Sequence, residues 1–203
     1  MITLYHRPNT RSARFVFLLE ELEAPYKITT VHGRGPDGTG APDPNNPHPH
    51  GKVPAISDSD DGTVVFESSA IALYLTDKFS KNRIGPLVGD PKRGAYLTWL
   101  AYYCGVMEPA WTMNFLKLQI PRGPQGWAPV EEVMAHTLKT LEQGPYILGE
   151  KFSAADILLG TTFQMFMGGP SMPKTPLLEA YVKRVVERPA FARAMEKAGG
   201  QPS

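Results

Sequence analysis

Two short runs carry residue types suited to chemistry: Gly51-Lys52-Val53-Pro54-Ala55-Ile56 and, soon after, Phe66-Glu67-Ser68-Ser69-Ala70-Ile71. Proline has no backbone N–H, so Pro54 belongs at the first residue of a strand or on a sheet edge. A cis Val53–Pro54 bond kinks the chain and turns the Val53 N–H and C=O outward. An extended peptide then pairs with them as an added strand. The Glu67-Ser68 turn aims the amides of a helix N-terminus at the same place, and such amides attract a carboxylate. The two runs together predict a site for a small, extended, anionic peptide.

The flanking patterns supply the elements that hold these runs. Residues 2–6 read as a strand. Residues 11–23 read as a helix, with Phe15, Leu18, Leu19 and Leu22 at the spacing of one buried face. Residues 26–31 form a second strand. Residues 32–50 are dense in Gly, Pro, Asn and Asp and read as a long loop. Residues 54–58 and 63–66 read as strands joined by a Ser-Asp-Asp-Gly hairpin turn, and a helix follows over 68–79. Residues 81–89 carry Gly85-Pro86 and read as a linker. Beyond them the pattern is helical. Asp90-Pro91 starts a helix that runs to about residue 118 and bends near Pro109. A second spans 129–143, with Val130, Met134, Leu138 and Leu141 on one face. Ser153-Ala154-Ala155-Asp156 has the spacing of a capping box. Leu177, Leu178, Tyr181, Val182 and Val185 mark another amphipathic helix, and Arg188-Pro189 opens a short last one.

Composition narrows the function classes. The chain has 203 residues, 42% of them hydrophobic, enough for one domain or two small ones. A net charge of +1, without a basic stripe, argues against a nucleic-acid partner. No run is long enough to span a bilayer, so no membrane role is expected. Cys104 is the only cysteine, which excludes an internal disulfide and a dithiol mechanism and points to a reducing, cytoplasmic setting. His48-Pro49-His50 lacks a convincing ligand spacing, and no metal is expected.

Gly-Lys-Val-Pro-Ala and Phe-Glu-Ser-Ser-Ala-Ile-x-x-Tyr-Leu resemble the glutathione site of the cytosolic glutathione S-transferases, here a bacterial-type, non-cysteine class. The resemblance extends over nearly the whole chain. It implies an α/β N-terminal thioredoxin-like domain (βαβ-ββα) over 1–80 and an all-α C-terminal helical domain over 90–203. In the family's buried capping box the aspartate, here Asp156, serves folding. By resemblance, Val53 bonds the cysteinyl unit of glutathione and Pro54 holds the cis turn. Glu67 takes the γ-glutamyl ammonium and Ser68 the α-carboxylate. Lys52 meets the glycyl carboxylate, with His50 as a possible helper or a plain loop histidine.

Glutathione as co-substrate sets a chemical need. A free thiol with a pKa of about 8.5 is only ~3% ionised at pH 7. A donor near the end of the first strand must therefore stabilise the thiolate. Asn9 and Thr10 are the first candidates, Ser12 the next and Tyr5 the last. Asn9 or Thr10 equally suits a plain helix cap, and Tyr5 a packed strand aromatic. The electrophile pocket is expected between the domains. Tyr103, Met107, Trp111 and Phe115 form its wall, with Tyr102, Met165 and Phe166 nearby; core or dimer contact is the alternative for this stripe. The implied activity is thiolate attack on a hydrophobic small-molecule electrophile, or glutathione-dependent peroxide reduction, in a homodimer. A non-catalytic binding or scaffold module of the same fold is the alternative.

Overall fold

The computed structural model describes residues 1–33, 39–82, 84–119, 121–169, 172 and 174–199. Its four-stranded sheet has the order β2-β1-β3-β4. β1 (Ile2–His6) pairs in parallel with β2 (Tyr26–Thr30), and α1 (Ala13–Glu21) makes the crossover that a parallel pair requires. β3 (Ala55–Asp58) is antiparallel to β1, and β4 (Val64–Phe66) is antiparallel to β3. Gly62, at φ 74, closes the hairpin between them. Leu4 sits opposite Ile56, and with Ile2 both are fully buried. α2 (Ser68–Lys78) follows β4 and buries Ile71, Ala72 and Leu75.

α1 buries more than the face expected of it. Phe15, Leu18 and Leu19 are enclosed, and so are Val16, Phe17 and Glu20. The cause is α8 (Pro189–Lys197), which packs along α1, the Phe17 and Phe191 rings meeting edge to face at 5.4 Å. Polar pairs seal this contact. Arg188 reaches both oxygens of Glu21, at 2.6 and 2.8 Å. Glu20 accepts from Tyr26 Oη at 2.6 Å, Arg193 Nε at 2.9 Å and Lys197 Nζ at 2.5 Å. Burial raises the Glu20 carboxyl, but these donors outweigh it and hold the group at about 2. Met1–Asn82 and Arg188–Ser203 accordingly form one compact unit, and Arg83–Glu187 the other. The sequence expectation kept 90–203 together; the α1–α8 contact moves the last segment into the first unit.

The second unit holds α3 (Arg93–Tyr102), α4 (Glu108–Phe115), α5 (Val130–Leu141), α6 (Ala154–Phe166) and α7 (Pro176–Val186). The single helix expected from residue 90 is interrupted by a π-helical turn at Tyr103–Met107. Pro109 has no N–H for the carbonyl four residues back, and the Glu108 N–H bonds Tyr103 O, five residues back. On α5 the buried face is Val130, Val133, Met134, Thr137 and Leu141, while Leu138 is half-buried. The capping box forms as the spacing predicts. Asp156 is fully buried and accepts from Ile147 N, Ser153 N, Ser153 Oγ and Tyr181 Oη, all within 2.9 Å. Burial pushes its carboxyl up to about 6 against those donors. Among the described residues no helix is long and apolar enough to cross a membrane.

Candidate functional site

Strand register brings the predicted segments to one end of the sheet. Tyr5 lies opposite Ala55, and Ala55 opposite Phe66. The loop after β1, the Val53-Pro54 step before β3 and Glu67 after β4 therefore emerge at the same edge. The Val53–Pro54 bond is cis. Pro54 is buried, while Lys52 is exposed.

Glu67 stands at the N-cap of α2 with φ 70 and ψ 128, a conformation that non-glycine residues rarely adopt. Holding it there costs about 1–3 kcal/mol, and such strain concentrates at ligand-holding positions. No side-chain cap closes the start of α2. Thr175 caps α7 and the Ser153 box closes α6, while the other helices, like α2, start without a side-chain cap. The first amides of α2 have no intrahelical acceptor, as at every helix start, and are potential donors for an anion beside an exposed carboxylate and the buried Ser68.

The loop before Lys52, over its described part 39–50, is cross-linked by short polar side chains. Residues 34–38 of the predicted loop lie outside the described residues. Asp43 accepts from His32 N at 3.0 Å, His32 Nδ1 at 2.8 Å and Asn45 N at 2.9 Å. Asn46 donates to Lys52 O at 2.9 Å and accepts from His48 N at 3.1 Å. Gly51, at φ 62, passes so close to Pro42 that a Cβ there would collide with the proline ring. His48 is buried, its ring 5.1 Å from that of Phe66, and its Nδ1 accepts from His50 N at 3.1 Å. Burial lowers the His48 pKa; the Glu67 carboxylate opposes this, and His50 and Lys52 add to it. Sequence reasoning placed His50, Lys52 and Glu67 at the site. It missed Asn46, which holds the Lys52 carbonyl, and His48, which accepts from the His50 amide; the Asp-Pro-Asn-Asn turn chemistry at 43–46 was the available signal.

The four donor candidates separate sharply. Ser12 is fully buried, and its Oγ meets Arg7 N at 3.2 Å, Thr10 Oγ1 at 2.7 Å, Arg7 O at 3.2 Å and His6 Nδ1 at 2.8 Å. A hydroxyl so enclosed has no face left for a ligand, which corrects the expectation for Ser12. Thr10 Oγ1 donates to Arg7 O at 2.6 Å, so its single proton is engaged. Tyr5 Oη lies 3.3 Å from Ser57 Oγ and is half-buried. Asn9 stands exposed at the crest of the loop with φ 57. Neither Asn9 nor Thr10 is the N-cap of α1; Ser12 holds that position.

The four aromatic and methionine positions of the second unit do not share one environment. Tyr103 and Met107 are fully buried. Tyr103 Oη donates to Glu108 Oε1 at 2.8 Å and lies 2.7 Å from Thr162 Oγ1. These two are core, which corrects their placement in a pocket wall. Trp111 is half-buried, its ring set edge-on to Tyr103 and Phe163, and Phe115 is 83% exposed. Among the described residues no three His, Cys, Asp or Glu side chains gather as a metal cluster.

Comparison with known proteins agrees with this geometry. The family model described as glutathione S-transferase, N-terminal domain, matches residues 10–78, and the glutathione S-transferase C-terminal domain matches 129–189. The disulfide-bond oxidoreductase YfcG of Escherichia coli K12 is 29% identical, covering 98% of this chain and 96% of its own. A glutathione S-transferase structure from Actinobacillus pleuropneumoniae superposes with a TM-score of 0.77 at 28% identity, over 98% of this chain and 94% of that one. A sphingomonad glutathione S-transferase complexed with glutathione gives 0.75 at 26%, over 97% and 98%. With a domain of that family matched in each half and relatives that span nearly its full length, this chain belongs to the glutathione S-transferase superfamily.

Proposed function

We propose that the protein binds glutathione along this sheet edge and holds its thiol as thiolate for attack on a hydrophobic electrophile. The observation that carries the reading is the strained Glu67 turn opening onto the uncapped start of α2, beside the Val53-Pro54 step. Glu67 takes the γ-glutamyl ammonium, and Ser68 with the α2 amides takes the α-carboxylate. The Val53 backbone pairs with the cysteinyl unit. Lys52, with His50, meets the glycyl carboxylate. Asn9 is the thiolate donor, favoured because its side chain is exposed while the protons of Ser12 and Thr10 are engaged. The thiolate then forms its bond to an electrophilic carbon as the leaving group departs with the electron pair, or it attacks a peroxide oxygen, the O–O bond breaking to release an alcohol or water after protonation, and a second glutathione converts the resulting sulfenic acid to glutathione disulfide and water. Trp111 and Phe115 are the retained candidates for contact with the electrophile. A cytoplasmic homodimer is the expected form.

A second reading is thiol–disulfide exchange, favoured by the relationship to the Escherichia coli disulfide-bond oxidoreductase. Cys104 is the sole cysteine and no dithiol pair is available, so glutathione itself would supply the attacking thiolate there as well.

The test is the ultraviolet absorbance of bound glutathione thiolate as pH is varied, in wild type and in Asn9→Ala. A bound thiol pKa well below the free value of about 8.5, restored toward it in Asn9→Ala, supports the transferase and its donor. Absence of glutathione binding overturns the reading. Turnover of an activated aryl halide against that of hydroxyethyl disulfide separates conjugation from exchange. Light scattering at the 22.3 kDa of one chain counts against the homodimer.

A further inference from the structure

The loop that displays Asn9 is braced from beneath by a buried polar chain that runs to the far end of the sequence. Across the loop, Arg7 N donates to Ser12 Oγ at 3.2 Å and Thr10 Oγ1 donates to Arg7 O at 2.6 Å. Thr10 and Ser12 hydroxyls lie 2.7 Å apart. These bonds close residues 7–12 on themselves and leave Asn9 at the crest in the left-handed region. Ser12 in turn lies 2.8 Å from His6 Nδ1, and His6 Nε2 lies 3.0 Å from the carbonyl oxygen of Ala198, the residue that ends α8. Ser12 and His6 are both essentially closed to solvent.

The protons around His6 follow from its two partners, while the single Thr10 proton is shared between Arg7 O and Ser12 Oγ. A carbonyl only accepts, so His6 Nε2 carries the hydrogen that bonds Ala198 O. Its Nδ1 is then an acceptor, and Ser12 Oγ donates to it. Burial lowers the His6 pKa, the Ala198 carbonyl opposing, and this suits the neutral tautomer. With its proton committed to His6, Ser12 Oγ accepts from Arg7 N. The end of α8 also lies near the loop: a Cβ on Gly199 would stand 3.9 Å from the Pro8 ring. α8 itself is held on α1 by Arg188 on Glu21 and by Arg193 and Lys197 on Glu20.

We infer that His6 is a positioning residue for thiolate stabilisation: anchored by the last carbonyl of α8, it fixes Ser12 and thereby the loop that presents Asn9. The inference rests on the glutathione reading above. His6 and Ser12 touch no substrate; they set where the Asn9 amide points. Loss of either link lets the crest relax, and the donor no longer meets the sulfur. The backbone and carboxylate contacts that hold the tripeptide lie on other segments and keep their geometry. The signature is therefore a loss of turnover and of thiolate stabilisation with glutathione affinity retained.

The experiment uses the full chain with glutathione and 1-chloro-2,4-dinitrobenzene, comparing wild type with Ser12→Ala, His6→Phe and His6→Asn. Thermal unfolding confirms which variants fold; if His6→Phe does not, Ser12→Ala decides. In Ser12→Ala and His6→Phe the bound thiol pKa is expected to rise by about one unit, an about tenfold loss of thiolate at pH below both values and a smaller loss as pH passes them. kcat should fall in parallel while KM for glutathione stays within about twofold of wild type. Asn offers an amide oxygen near the place of Nδ1, so His6→Asn should recover part of the loss that His6→Phe shows. A folded Ser12→Ala with unchanged thiol pKa and kcat overturns the inference while leaving glutathione binding intact. So does a rise in KM at constant kcat. A wild-type protein that binds no glutathione overturns the underlying reading as well.

Discussion

Glu67 offers a prediction in which stability and binding move in opposite directions. The residue holds φ 70 and ψ 128, is exposed, and starts α2 with no side-chain cap. A Cβ in that region costs about 1–3 kcal/mol, which glycine avoids. Glycine gives back about 0.5–1 kcal/mol through the extra freedom of its unfolded chain. Glu67→Gly should therefore be about 1 kcal/mol more stable than Glu67→Ala, which keeps the strain and lacks the same carboxylate. Glu67→Ala itself should stay within about 0.5 kcal/mol of wild type, as at other exposed positions. For binding, both variants lose a charge-assisted contact to the glutathione ammonium, worth about 1.5–3 kcal/mol. That corresponds to an affinity about 10- to 150-fold lower. Urea unfolding of the ligand-free variants measures the first quantity, and titration calorimetry with glutathione the second. A Glu67→Gly protein less stable than Glu67→Ala would refute the strained turn. Wild-type affinity in both variants would refute the role of the carboxylate.

Other perturbations test the frame around the site. Ser153→Ala removes one leg of the capping box and should cost about 1–2 kcal/mol in urea unfolding; Asp156→Ala strands four buried donors and should cost at least about 3 kcal/mol. A Cβ at Gly160 on α6 would lie 2.7 Å from Val185 Cγ1 on α7. Gly160→Ala should therefore lose about 1–3 kcal/mol to overpacking, offset by about 1 kcal/mol of helix propensity. Its combination with Val185→Ala should cost less than the two single changes added, as a double-mutant cycle reads directly. The Glu20 carboxyl is depressed from 4.5 to about 2 in the folded protein. Its contribution is fully present above pH 4.5 and lost as pH falls toward 2. That loss is about 2 kcal/mol after discounting for the half-exposed Arg193 and Lys197, and Glu20→Gln should flatten that acid limb of the stability–pH curve.

Local chemistry made much of this protein legible from the chain alone. The β1 and α2 starts, the hairpin and the Ser153–Asp156 box follow from alternation, turn residues and capping spacing, each a matter of a few neighbouring residues. The family motifs around Val53-Pro54 and Glu67-Ser68 were readable because they combine uncommon residue demands in a short span. Less local features were not. Pro109 predicted a bend, but whether a helix kinks or widens into a π turn depends on how Tyr103 and Met107 seat in the core.

The donor question shows the division most clearly. Asn9, Thr10 and Ser12 are all short polar residues at one loop, and no local rule ranks them. The sequence by itself placed all three on the loop that follows β1. Only the tertiary structure decided which of them is left exposed, because His6 and the carbonyl of Ala198, 192 residues away, engage Ser12 from below while Thr10 turns back on Arg7. The same holds for α8: its Arg188-Pro189 start specified a helix, but not that Phe191 and its Arg188, Arg193 and Lys197 would meet α1. A periodic pattern states which face must be buried; which partner buries it is settled by the folded chain as a whole, where shape and charge must be satisfied together.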